Sequence, residues 1–166
     1  FILSRMNSAN KSFEDALSEA QELGYAEADP SFDINGMDAA HKLSILSAIG
    51  FGEFPSLKNT SVTGIEKIQT IDHKYAKEFG YKIKLIGRSS LMEGSISKEI
   101  SPMLVKEDGS LGTVEGVSNV VCINTDYNGT LILEGEGAGE GPTSASVLSY
   151  IVDFAQGIKS HLFNKP

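Results

Sequence analysis

Glu27, Asp29, Asp33 and Asp38 fall within one short stretch, and Lys42 follows Asp38 by one helical turn. Carboxylates at a loop–helix junction can grip a substrate ammonium group. A lysine held beside an aspartate and partly desolvated can pass a proton to and from an oxygen. The i, i+4 spacing places Asp38 and Lys42 on one helix face. The same spacing suits a plain surface ion pair, contributing well under ~1 kcal/mol. Both readings stand. Asp33-Ile34-Asn35-Gly36 imitates part of a calcium loop. With Gly36 as that loop's central glycine, the position needing a bidentate Glu falls on Lys42, so a cation replaces the required ligand. His41 neighbours Lys42 but points to another side of the helix, as a packing or supporting group. His73 and His161 have no partners at ligand spacing, which argues against zinc. No metal is expected.

A second chemistry-bearing feature is Gly135-Glu136-Gly137-Ala138-Gly139-Glu140-Gly141. Strand, glycine loop and helix form the layout of a phosphate cradle. The spacing departs from the dinucleotide pattern G-x-G-x-x-G. From Gly135 it requires glycine where Glu140 stands, and from Gly137 where Pro142 stands. No Gly-Lys-Ser/Thr follows, and too little chain remains for a βαβ unit. Two uses stay open: a close backbone approach to a cofactor held by another domain, or a tight strand-to-helix turn.

The elements that must position these residues follow from periodicity. Residues 1–8 read as a helix tail. Ser12 caps a helix carrying Phe13, Ala16, Leu17, Ala20 and Leu23, closed by Gly24. Residues 25–35 form an acidic loop, and Met37 to Ile49 a second helix with Leu43, Ile45, Leu46 and Ile49 apolar. A short strand is expected near 61–65 and a helix over 71–79. Tyr81, Ile83 and Leu85 then alternate with Lys82 and Lys84, predicting a strand with one solvated face. Further strands are expected over 96–105, 116–124 and 130–134, the last two joined by a turn at Tyr127-Asn128-Gly129. Pro142 suits the first position of a closing helix with an apolar stripe from Val147 to Ile158. The sum is an α+β fold: a mixed, largely antiparallel β-sheet covered by helices, in one domain over 1–166.

Composition narrows the function classes. Acidic residues number 22 and basic residues 14, a net charge of −8. Lys and Arg are scattered, so the clustered cations that nucleic acid or an anionic membrane requires are missing. The charge serves solubility, and its local concentration at 27–38 is the sharper feature. The one cysteine, Cys122, sits in the apolar run Val120–Ile123, which predicts a buried inert thiol and, by default, a cytoplasmic protein. No apolar run reaches the roughly 18 residues that span a bilayer. The opening FILSRMNS is no secretory signal; it reads as the inside of a helix under way, as if cut from a longer chain.

Glu22-Leu23-Gly24-Tyr25-Ala26-Glu27-Ala28-Asp29-Pro30 and Asp33-Ile34-Asn35-Gly36-Met37-Asp38-Ala39-Ala40-His41-Lys42-Leu43 resemble the substrate-binding signature of homoserine dehydrogenases. Gly135 to Ser146 resembles that family's glycine-rich return segment. Tyr81–Leu85 and Val114–Asn119 match in order between them. The resemblance implies reduction of L-aspartate 4-semialdehyde to L-homoserine with NAD(P)H, on the way to threonine and methionine. It implies that Lys42 is the proton donor and Asp38 its partner at the reacting oxygen. It implies that Glu27 binds substrate, with Asp33 near the amino group, and that Gly137 and Gly139 approach the nicotinamide cofactor. It further implies a homodimer formed through the sheet. The family's amino-terminal dinucleotide-binding domain, with a further active-site lysine, has no counterpart in these residues. The chain by itself is therefore expected not to turn over. Two rivals remain: a non-catalytic dimerisation or ligand-sensing module on the same scaffold, and a hydrolase or lyase using Glu27 with Asp33.

Overall fold

The computed structural model describes residues 1–137 and 139–158, so Ala138 and His161 lie outside the described residues. Two helices open the chain, α1 (Ile2–Ala9) and α2 (Phe13–Glu22). The Ser12 side chain accepts from the Asp15 amide at 3.1 Å, which caps α2 as its sequence predicts. Glu19 on α2 takes ion pairs from Arg5 at 2.8 Å and Lys11 at 3.0 Å. Those hydrogen bonds, Arg5's first, hold its carboxyl down at about 2.

The acidic stretch is only partly loop. Ser31–Ile34 forms a short helix, α3, before α4 (Met37–Phe51). Then come β1 (Thr60–Val62), α5 (Thr70–Glu78), β2 (Tyr81–Met92) and β3 (Ser95–Lys106). Strands β2 and β3 pair antiparallel along their full length, turning through Glu93 and Gly94, both at positive φ. Strand β1 pairs parallel to β3, giving the order β1-β3-β2. Pro102 is accommodated in the middle strand because β1 pairs only as far as Ile100.

Two cores lie on this sheet, both flanked by the partly buried Leu85. One joins Ile2, Leu3 and Met6 of α1 with Ala16, Ala20, Ile65, Ala76 and Ile83. The other seats Ala40 and Leu43 of α4 on Ile100 of β3. His73 of α5 is buried, with neither ring nitrogen hydrogen-bonded.

The α+β class with a mixed, largely antiparallel pattern is observed, with five corrections. The strands do not form one sheet: β4 (Ser118–Thr125) and β5 (Gly129–Glu136) make a separate hairpin. The final helix, α6 (Glu140–Ala155), has no buried residue and closes over no core among the described residues. Pro142 is its third residue rather than its first, still within the turn whose amides lack helical partners. Cys122 is exposed, because no layer among the described residues covers the hairpin. The face expected to be solvated at Lys82 and Lys84 is instead largely covered. Lys82 Nζ reaches Glu115 at 2.6 Å and the Gly112 carbonyl at 3.0 Å, and Lys84 Nζ reaches the Val114 carbonyl at 2.6 Å. Burial pushes the Lys84 ammonium below its ordinary value, opposed by Glu115. No helix among the described residues is long and apolar enough to cross a membrane.

Candidate active site

The site grows from one turn. Helix α3 carries Asp33 and α4 begins four residues later, so Ile34-Asn35-Gly36 alone sets the angle between them. Gly36 sits at φ +85°, a backbone conformation that a side chain disfavours. The Asn35 side-chain oxygen accepts from the Met37 amide at 2.9 Å and satisfies a donor that the helix leaves unpaired. Asp38 therefore stands in the first turn of α4, where the helix dipole favours a carboxylate. One turn on, Lys42 Nζ donates to Asp38 Oδ2 at 2.6 Å.

The predicted i, i+4 pair is thus formed. Its setting is open: the Lys42 side chain is 67% exposed and that of Asp38 35%. The partial desolvation expected of Lys42 is absent from this chain. Among the described residues nothing covers Lys42.

Glu27 is exposed on the loop before α3. Gln21 Nε2 donates to the Glu27 carbonyl at 2.9 Å and to that of Ala28 at 3.4 Å, tying this backbone to α2. Asp29 is spent locally: its carboxylate accepts from the Ser31 hydroxyl and from the Ser31 amide, which holds it below the usual carboxylate range. Glu27 and Asp33 have no hydrogen-bond or ion-pair partner for their carboxylates among the described residues. Asp33 stands just ahead of the turn and the Asp38–Lys42 pair just after it, so carboxylates and a lysine lie on one short segment. His41 packs its ring on Phe32, centroids 5.5 Å apart, joining α4 to α3 in the supporting manner expected of it.

At the far end of α4, Lys98 of β3 is 4% exposed and donates to Glu53 at 2.8 Å and to the Ser56 carbonyl at 2.9 Å. Glu53 also accepts from Ser47, and the Lys98 ammonium holds its carboxyl below the ordinary value. This buried clamp fixes α4 to the sheet. Neither it nor Gln21 was legible as a supporting group, because both partnerships are made in space between separate elements. Asn35 carried a signal: an Asx residue just ahead of a helix start.

The glycine segment lies apart from these acids in sequence. Gly139 precedes α6 at φ +112°, and the helix start has no side-chain cap. Gly137 abuts the Asn119 side chain. Uncapped amides behind a bare backbone fit close approach by one part of a nicotinamide cofactor. They do not fit the whole of it, as the described residues offer no dinucleotide cradle. Among those residues no three His, Cys, Asp or Glu side chains converge to hold a metal.

The family model for homoserine dehydrogenase matches residues 1–152. A homoserine dehydrogenase of Neisseria gonorrhoeae is 44% identical over 156 residues, 94% of this chain and 36% of the relative. A solved homoserine dehydrogenase from Thiobacillus denitrificans superposes with a TM-score of 0.88 at 41% identity, over 100% of this chain and 39% of that one. A hyperthermophilic archaeal homoserine dehydrogenase mutant, solved in complex with NADPH, gives a TM-score of 0.71 at 31% identity, over 96% of this chain and 44% of that one. The chain thus spans well under half the length of these relatives. The chain belongs to the homoserine dehydrogenase family.

Proposed function

We propose that this chain is the substrate-binding and catalytic domain of an NAD(P)-dependent homoserine dehydrogenase, interconverting L-aspartate 4-semialdehyde and L-homoserine in the synthesis of threonine and methionine. One observation carries the reading: within the matched region, the α3–α4 turn has Asp33 just before it and Asp38 and Lys42 just after it, with Lys42 Nζ 2.6 Å from Asp38 Oδ2. A nicotinamide cofactor, when bound, supplies the hydride to the aldehyde carbon. Lys42 gives its proton to the oxygen on which negative charge develops, and takes it back in the reverse direction. Asp38 orients Lys42 and the substrate. Glu27 and Asp33, unpaired within the chain, receive the α-ammonium group. Gly137 and Gly139 allow the backbone to approach the cofactor, while a dinucleotide-binding domain beyond these residues holds most of it and desolvates Lys42. NADPH in the archaeal relative supports that choice of cofactor class.

The enzyme works in the cytoplasm on a small-molecule substrate, as a homodimer. The exposed apolar side chains of β5 and α6, among them Leu131, Leu133, Leu148 and Ile151, are the natural surface for chain–chain and domain–domain contacts. The same surface is what a non-catalytic dimerisation module would display. In the full-length enzyme, Lys42→Ala is expected to lower kcat by roughly 10²–10⁴ while leaving the KM for NAD(P)H near wild type. A near-normal kcat would remove Lys42 from the mechanism, whereas a full-length wild type without NAD(P)-dependent turnover would favour the non-catalytic module.

A further inference from the structure

We propose that Gly64 is a positioning residue for this site, holding the turn between Asp33 and Asp38 in place because it has no side chain. The inference rests on the functional reading above. After β1, the Thr63 amide donates to the Ile100 carbonyl at 2.8 Å, continuing the track along β3. Two residues later the Ile65 amide donates to the Ile34 carbonyl, also at 2.8 Å. Gly64 lies between these anchors, with its Cα face turned to the Ile34-Asn35 peptide. A methyl group added there would lie 2.6 Å from Asn35 Cα and would overlap the Ile34 carbonyl oxygen. It would also meet the Glu66 carboxylate, which can swing aside. The first two are backbone atoms, and no rotamer change relieves them.

Glycine is needed at 64 for space rather than for backbone conformation, since Gly64 is not among the residues at positive φ. The turn is walled on a second side as well. A methyl at Gly36 would stand 3.1 Å from Val62 Cγ1 and 3.3 Å from Ile100 Cγ2. Asp33 directly precedes this clamped turn, and Asp38 and Lys42 directly follow it. Ordinary carbon contacts need about 3.5 Å or more, so a side chain at 64 drives Asn35 outward by roughly 1 Å. The displacement separates Asp33 from the Asp38–Lys42 pair. Misplacement on that scale costs about 10²-fold in a positioned reaction.

The test uses the full-length enzyme and four proteins: wild type, Lys42→Ala, Gly64→Ala and Ala76→Gly. The last loosens α5 and serves as a control matched for loss of Tm. Gly64→Ala is expected to lower kcat/KM for homoserine by about 10²-fold, raising its KM and lowering kcat, with the KM for the nicotinamide cofactor unchanged. Ala76→Gly should keep both substrate constants. If Lys42→Ala is crippled while Gly64→Ala behaves as Ala76→Gly does, the positioning role is overturned and the functional reading survives. If Lys42→Ala is near wild type, both fall. Should Gly64→Ala fail to accumulate as folded protein, Val62→Ala is measured in its place, since it slackens the second wall without adding volume. A loss of about fivefold in kcat/KM for homoserine supports the proposal, and an unchanged value overturns it.

Discussion

Asp38 and Lys42 show how far single residues can be read. Their spacing alone gives the ion pair, since any helix through both makes them neighbours. What the spacing withholds is the environment. Lys82 and Lys84 alternate with apolar residues as exposed charges would, yet Glu115 and the 112–114 carbonyls cover them from a distant segment. Lys98 looks like any strand lysine and is the most buried charge of the clamp beneath α4. Burial of this kind is made between elements, so no local pattern carries it. His73 is a further case, and it has a measurable consequence. Burial, with a smaller contribution from Lys84 and against Asp72, holds its imidazole below the ordinary value of 6.5. Below that value the unfolded chain binds a proton that the folded chain refuses. The contribution of His73 to stability is therefore complete above about pH 6.5 and is lost as the pH falls toward its depressed folded value. Melting curves between neutral and mildly acid pH should show Tm falling more steeply for wild type than for His73→Leu. Parallel curves would mean that the buried ring accepts its proton without cost.

Elements were legible where their period was clean. The Ser12 cap, the α4 segment, the α5 segment and the Tyr127-Asn128-Gly129 turn region fall where the residues place them. The β2–β3 hairpin was not seen at its full extent. Its outer half runs through Arg88-Ser89-Ser90, which has neither alternation nor β-branched residues, and pairing with β3 overrides that weak preference. Its turn is also unusual, because Glu93 occupies the first central position at φ +50°. Two consecutive residues at positive φ mark the mirror-image turn that favours Asn before Gly. Glu93→Asn should therefore raise stability by about 0.5–1 kcal/mol in chemical denaturation, with the slope unchanged. A lowered midpoint would argue against that turn. The short helix α3 escaped sequence reading for a plain reason: four residues are too few for any period.

Over the whole molecule the two ends of the chain are unequal. The buried cores are built from residues of the amino-terminal two thirds, whereas β5 and α6 contribute no buried side chain. The apolar stripe of α6 was expected to close over the sheet, and among the described residues it stays uncovered. Ile45, Leu46 and Ile49 of α4 expose a second such face beside the candidate site. A protein of this shape should bind its cofactor poorly alone. Titrating the isolated chain with NADPH, at concentrations that saturate the full-length enzyme, should give no saturable signal, and tight binding would refute the assignment of the cofactor to another domain. The parallel pairing of β1 with β3 has its own bearing on how the molecule is made. In the register Thr60↔Lys98 the two strands are far apart along the chain, and β3 must exist before β1 has an edge to join. During synthesis the acid-bearing segment emerges early and stays unanchored until Ile100 has left the ribosome. The order of translation therefore makes the candidate site one that sets only once β3 is available, and a ribosome stalled ahead of that point would hold its residues without their geometry.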